Sequence, residues 1–143
     1  MSFVRGKDGK VFITDSVGTA RDITTFVDDV SHSLERESLD TTTYGSTYRS
    51  STGGFVGWTG TITGKWDNGG TATPDQWFYG LITAASTVTS TLTYFPNGSA
   101  STLPYWSGTV NFGNYAPSAP YDDVITWSVD FTLATGGVTR GTV

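Results

Sequence analysis

Apolar and polar side chains alternate along several segments of the chain, as they do in β-strands with one buried face. The pattern is clearest over residues 124–133, where large apolar side chains occupy every second position. Residues 57–67 alternate in the same way, with tryptophan, glycine and isoleucine on one face and mainly threonine on the other. Shorter alternating segments lie at 10–14, 87–94 and 103–112. Together they predict a mainly β fold whose strands pack one face against a core.

One helix is predicted from the residues around Thr73. The threonine suits a helix N-cap, Pro74 suits the first helical position, and Gln76 follows the cap at the spacing of a capping box. Asp75 complements the positive end of the helix dipole. Because an apolar stripe follows, we expect a helix over about residues 74–85 that lies across the sheet.

A long polar arm separates two strands in the first half of the chain. It covers about residues 45–56, is rich in glycine, serine and threonine, and is too long for a tight hairpin turn. The strand before it changes the parity of its apolar residues, which predicts a bulge near residues 36–38. Four side chains at the arm are of types enriched in interface hot spots, namely Tyr44, Tyr48, Arg49 and Phe55. We expect the arm to be mobile in the monomer and ordered by another subunit; a passive surface loop is the alternative.

The carboxy-terminal segment, about residues 134–143, is glycine-rich and shows no packing pattern of its own. We expect a flexible tail in which Val138 and Arg140 contact a partner subunit. The chain shows no internal repeat and no linker. Its 143 residues therefore predict a single domain spanning 1–143, with the arm and the tail as its extensions.

Composition excludes several kinds of site. There is no cysteine, so neither disulfides nor thiolate metal sites can form. The net charge of −5, without a block of basic residues, argues against binding nucleic acid by neutralising its phosphates. No apolar run has the length of a membrane span or of a signal-peptide core.

Catalytic chemistry has little support in the sequence. His32 is the only histidine, and no nucleophile motif lies beside it. Glu35 and Glu37 would project from one side of a regular strand, where they form either an acid/base pair or, more commonly, a solvated acidic face. The paired glycines lack the lysine of a phosphate loop, and the paired aspartates lack the spacing of a calcium loop. We expect no enzyme activity, no cofactor and no metal ion.

The order of these segments resembles the tail tube (major tail) proteins of long-tailed, siphovirus-type bacteriophages. The resemblance is carried by GKDGKVFI near the amino terminus, LDTTTYG before the arm, GWTGTITGKWD after it, and the closing VITWSVDFTLATGGVTRGT. One departure is the segment Thr52-Gly53-Gly54-Phe55, where many relatives carry a Pro-Gly-Leu-like sequence. This difference concerns the conformation of the arm.

The resemblance implies a β-sandwich or barrel-like tail tube fold with one flanking helix. Subunits of this family assemble as rings, expected here to be hexameric, that stack into a tube through which DNA passes during ejection. The implied partners are further copies of the chain and the tape measure, tail terminator and tail tip proteins; double-stranded DNA would pass without specific binding, and no membrane is involved. The implied location is the virion tail, after synthesis in the cytoplasm of the bacterial host.

An acidic lumen would keep DNA from adhering to the tube, because counterion release requires lysine and arginine. Glu35 and Glu37 are the leading candidates for such a lumen.

Two other functions remain open from the sequence. One is a virion decoration protein or another tail structural protein. The other, from a different class, is a carbohydrate-binding or adhesion module that uses exposed tryptophans. Because all but one of the tryptophans lie in phase with apolar neighbours, packing is the better explanation for them.

Overall fold

The computed structural model describes residues 6–66, 73–85 and 87–143. These residues form seven β-strands, one α-helix and two short 3-10 helices. The strands are β1 (Lys10–Thr14), β2 (Ala20–Asp22), β3 (Val27–Asp40), β4 (Ser51–Lys65), β5 (Ser90–Phe95), β6 (Pro104–Ser118) and β7 (Thr126–Thr142), and the helix α1 spans Pro74–Thr83. The prediction of a mainly β fold with one helix is confirmed.

All seven strands belong to one antiparallel sheet in the order β2-β1-β5-β6-β7-β4-β3. The sheet curls so that strands far apart in this order pack face to face. His32 of the edge strand β3 lies 5.5 Å, centroid to centroid, from Tyr94 of β5 and 5.0 Å from Trp106 of β6. The result is the barrel-like arrangement expected from the sequence.

The concave side of the sheet holds the core. Its fully buried side chains include Trp58, Phe78, Ile62, Leu92, Val110, Val129 and Phe131. The rings of Trp58 and Phe131 meet edge to face at 5.0 Å. Gly60 makes room for this packing, because a Cβ atom there would collide with the ring of Phe131 and with the backbone oxygen of Ser31. Glycine at this position therefore permits close approach of the strands, as the alternating pattern indicated.

Helix α1 covers one end of this core. It begins at Pro74, as predicted, and ends at Thr83, two residues before the predicted limit. Thr73 occupies the N-cap position with an extended backbone, but its side chain makes no capping hydrogen bond. The capping box is therefore not formed. Burial of Phe78, whose ring lies 5.2 Å from that of Trp127, attaches the helix to the sheet.

The structure corrects the predicted extent of the arm. Strand β4 begins at Ser51, so residues 51–56 are strand and only residues 41–50 form a loop. The expected irregularity is present, since Arg36 lies opposite Val56 whereas Ser38 lies opposite Gly53. The extra residue belongs to β4 and not to β3. A bulge accommodates this poorly alternating segment within a strand, which explains why it resembled a loop.

The structure also contradicts the prediction of a flexible carboxy-terminal tail. Strand β7 continues to Thr142, and its final residues pair with the start of β6, from Thr139 opposite Ser107 to Thr142 opposite Pro104. The backbone N–H of Val143 then donates to the carbonyl of Leu103 at 3.0 Å. The ladder hydrogen bonds to β6 order this segment, and a glycine-rich sequence gives no local indication of that partner.

Candidate assembly surfaces

The β3–β4 hairpin extends beyond the rest of the sheet. Strand β4 pairs with β7 only from Thr59 to Lys65, whereas β3 and β4 remain paired as far as Asp40 and Ser51. Residues 35–40 and 51–57 therefore form a two-stranded segment without a third strand, which we call the ribbon. At about 3.3 Å per residue the ribbon is roughly 20 Å long.

Residues 41–50, the tip loop, close the end of the ribbon. The backbone N–H of Thr41 donates to the carbonyl of Ser50 at 3.0 Å, and the Ser50 N–H donates to the Thr42 hydroxyl at 2.9 Å. These bonds hold the base of the loop, but its aromatic side chains do not pack. Tyr44 and Tyr48 are 108% and 85% exposed. Such uncovered aromatic surface is typical of an interaction site.

The structure places the other predicted contact residues at separate positions. Phe55 is 87% exposed on the ribbon, and Arg49 is exposed in the tip loop. Val138 is half-buried against the core, so its part in the fold explains its apolar character. Arg140 is exposed on β7, opposite Trp106 of β6. The arm candidates therefore form one projecting surface, whereas the tail candidates lie within the sheet.

The side of β3, β4 and β7 that is turned away from the core forms a polar face. Threonines of β4 form its centre, with Ser31 of β3 and Asp130 of β7 on either side of Thr61. The carboxylate of Asp130 accepts hydrogen bonds from the Thr61 hydroxyl at 2.8 Å and from the Asn114 amide at 3.0 Å. The bonds from Asn114 and Thr61 lower the pKa of Asp130 below its ordinary value. This carboxylate therefore carries its negative charge at neutral pH.

Glu35 and Glu37 lie on the same side of β3 as this polar face. The extra residue of the bulge is in β4, so β3 keeps regular alternation through both glutamates. Both are exposed, and the Ser33 hydroxyl donates to the Glu35 carboxylate at 3.2 Å. The two glutamates therefore project from the same side of the strand, as predicted. Their role in a lumen stays a prediction.

Two further charged residues complete the polar face. Lys65 donates to the Asp28 carboxylate at 3.1 Å, and that carboxylate also accepts from the Thr63 hydroxyl at 2.8 Å. The hydrogen bond from Thr63, followed by the bond from Lys65, lowers the pKa of Asp28 despite its partial burial. The lysine charge is therefore offset within the face. The net charge of the polar face, taken with Glu35 and Asp130, is negative.

Strands β3 and β6 each have an unpaired edge. Within the described ranges β3 pairs only with β4, so its outer edge is open from Val27 to Asp40. Among the residues that the structure describes, β5 pairs with β6 only as far as Val110, and residues 111–118 of β6 pair with β7 alone. Open edges present unpaired N–H and C=O groups, which can pair with another chain. The two edges bound opposite sides of the section β3-β4-β7-β6.

His32 lies in an aromatic cluster that does not resemble a catalytic site. The indole N–H of Trp58 donates to His32 Nδ1 at 3.2 Å, and the rings of Tyr94 and Trp106 pack against the imidazole. Within the part of the chain that the structure describes, no three His, Cys, Asp or Glu residues group to hold a metal ion. No described helix is long and apolar enough to cross a membrane.

This cluster predicts a pH-dependent stability. Burial lowers the pKa of His32 below its ordinary value of 6.5, so the unfolded chain binds the proton more readily than the folded protein. The free energy of unfolding should therefore be highest above about pH 7 and decrease as the pH falls towards about 5. Urea unfolding between these values tests this. His32→Phe keeps a ring in the cluster and should flatten the dependence; an unchanged slope in this variant would contradict the prediction.

The comparisons with solved structures agree on the fold, whereas no protein-family model and no curated protein sequence matches the chain. Among solved structures, a chain from the tail of an empty gene transfer agent (GTA) particle, refined with helical C6 symmetry, is 13% identical, with a TM-score of 0.74 over 98% of this chain and 100% of that chain. A chain of the SPP1 tail tube is 11% identical, with a TM-score of 0.75 over 98% and 80% of the two chains. A chain from the PVC sheath/tube terminator of an extracellular contractile injection system is 11% identical, with a TM-score of 0.75 over 99% of both. The chain has the tail tube fold.

Proposed function

We propose that the protein is a structural subunit that polymerises as stacked rings into the tube of a phage-like tail, through which DNA passes during ejection. The observation that carries this proposal is the pair of open edges on β3 and on residues 111–118 of β6, in a chain with the tail tube fold. In this role the protein acts by assembly and by electrostatics, without a catalytic residue.

The open edges support lateral closure into a ring. If β3 of one copy pairs with the open part of β6 of the next, the section β3-β4-β7-β6 repeats around a closed barrel. Closure removes the exposed edges, which would otherwise promote uncontrolled association. Six copies per ring is the number we propose, by analogy with the C6 symmetry of the gene transfer agent tail. Every copy then uses the same two surfaces, as cyclic symmetry requires.

In such a ring the polar face would line the channel. Asp130, Glu35 and Glu37 would then contribute negative charge to the inner wall, while Asp28 offsets Lys65. Screening acts within about 8 Å at physiological salt, so only charges on the wall itself affect passing DNA. Like charge keeps the DNA phosphates from binding, which suits passage. The concave side, with its core, would face away from the DNA.

The remaining partners follow from the same role. We propose that the ends of the tube contact tail terminator and tail tip proteins and that a tape measure protein occupies the channel during assembly. The location would be the tail of the particle, following synthesis in the cytoplasm of the host. A carbohydrate-binding function has less support, because Trp58 and Trp127 are buried in the core and unavailable for stacking on sugars.

Electron microscopy of the purified protein tests the proposal. We expect hollow tubes or stacked rings on concentration, and a reconstruction should place Glu35, Glu37 and Asp130 on the inner wall. Monomers at high concentration, or solid fibres without a channel, would contradict the tube. A hollow tube whose inner wall is formed by another surface would contradict the lumen assignment alone.

A further inference from the structure

The loop that connects β6 and β7 carries exposed apolar side chains with no described function. This loop, residues 119–125, is called the base loop. Tyr121 is 105% exposed and Val124 is 53% exposed, and Ile125 beside them is also exposed. Asp122 and Asp123 give the loop two negative charges and no positive charge. The combination of uncovered apolar area and a single sign of charge points to a specific partner.

The base loop lies at the end of the sheet opposite the ribbon. Strand β4 runs from Ser51 at the tip of the ribbon to Lys65, which pairs with Thr126 immediately after the base loop. The backbone N–H of Trp66 donates to the carbonyl of Ile125 at 2.8 Å, which fixes the loop at this end. At about 3.3 Å per residue β4 is roughly 45 Å long. A single copy therefore presents the tip loop at one end and the base loop at the other.

The two loops are complementary in charge and similar in their uncovered apolar character. Arg49 is the only charged residue of the tip loop, and it lies next to the exposed Tyr48. Within the described residues, Arg49, Asp122 and Asp123 take part in no ion pair. Each loop thus carries free charge of one sign beside exposed aromatic surface.

We infer that the base loop is the docking site for the tip loop of a second copy of this chain. The inference rests on the proposed function and names the contact between successive rings. Arg49 of one copy would pair with Asp122 and Asp123 of the other, while the tyrosines of both loops pack together. A contact between opposite ends of identical subunits is heterologous and does not close on itself, so it propagates along an axis. Such a contact produces a stack of rings.

Charge reversal provides the test. Arg49→Asp alone places negative charge against negative charge at each junction, and the double variant Asp122→Arg/Asp123→Arg places positive against positive. Each should raise the protein concentration needed for tube formation by about tenfold or more, since like charges that face each other across an interface weaken the affinity by at least about that factor. The triple variant that carries all three reversals restores opposite charges and should form tubes near the wild-type concentration. Asp8→Arg, at an exposed position outside both loops, is the matched control.

Sedimentation and electron microscopy across a protein concentration series distinguish the outcomes, with circular dichroism to show that each variant is folded. Recovery of tubes in the triple variant, with loss in the Arg49 and Asp122/Asp123 variants, would support the docking. Normal tubes in the Asp122→Arg/Asp123→Arg variant, or a triple variant no better than its parents, would overturn the docking and leave the proposed function standing. If the wild-type protein forms no tubes or rings at all, the proposed function fails and this inference with it.

Discussion

Truncation of the chain after Thr135 is expected to lower the free energy of unfolding of the monomer by roughly 3–5 kcal/mol. Several ladder hydrogen bonds are lost, each worth about 1 kcal/mol, and the burial of Val138 is lost with them. The deleted residues pair with the start of β6, from Ser107 to Pro104. Their removal also exposes the backbone of β6 as a new open edge. Urea unfolding at a protein concentration below that of assembly measures the effect.

The full-length variant Arg140→Ala is the control for this truncation. It removes an exposed side chain from the same segment and leaves every backbone hydrogen bond in place, so its stability should lie within about 0.5 kcal/mol of the wild type. A truncated protein as stable as the full chain would show that the segment is dispensable for the fold, in agreement with the flexible tail expected from the sequence.

Replacement of the tip loop by a two-residue Asn-Gly turn is expected to abolish tube formation while the monomer stays folded. The loop projects beyond the sheet, and its side chains from Tyr44 to Arg49 are exposed. Asn-Gly is the preferred sequence for a tight hairpin turn, so the ladder between Asp40 and Ser51 can close directly. We expect the free energy of unfolding to change by less than about 1 kcal/mol, because exposed loop residues contribute little to the folded state. Sedimentation and electron microscopy measure assembly.

A second variant separates the length of the loop from its side chains. The triple substitution Tyr44→Ser, Tyr48→Ser and Arg49→Ser keeps the number of residues and the hydrogen bonds at Thr41 and Ser50. It should also fail to form tubes if the aromatic and basic side chains make the contact. Normal tubes from both variants would identify residues 41–50 as a passive connection.

The strands of the core could be predicted from the sequence because they alternate strictly. Trp127, Val129 and Phe131 occupy the buried side of β7, where the period of two placed them. The helix could be predicted equally well, since Pro74 and the apolar stripe are local signals. The polar side of β3 was also predictable, and Glu35 and Glu37 share it as expected.

Features that depend on a distant partner could not be predicted in the same way. Residues 51–56 and 136–142 are rich in glycine and lack alternation, yet both are strands, because β3 and β6 supply their hydrogen bonds. Asp130 resembles any other polar residue of an alternating strand. Its position on the polar face, bonded to Thr61 and Asn114, becomes apparent only when β4 and β7 are paired.

The position of β7 inside the sheet, between β6 and β4, has a consequence for folding kinetics. This strand follows all other described strands in the sequence, yet it joins the β3–β4 hairpin to the β5–β6 hairpin. The contact between Thr61 and Asp130 spans 69 residues of chain, and such a separation raises the contact order and slows folding. Each hairpin can form early from local contacts, but the two halves stay separate until β7 inserts between β4 and β6. Before that step the edge of β4 that later pairs with β7 is open as well. The half-folded chain is therefore the species most exposed to misassociation, and its folding depends most on low protein concentration or on a chaperone.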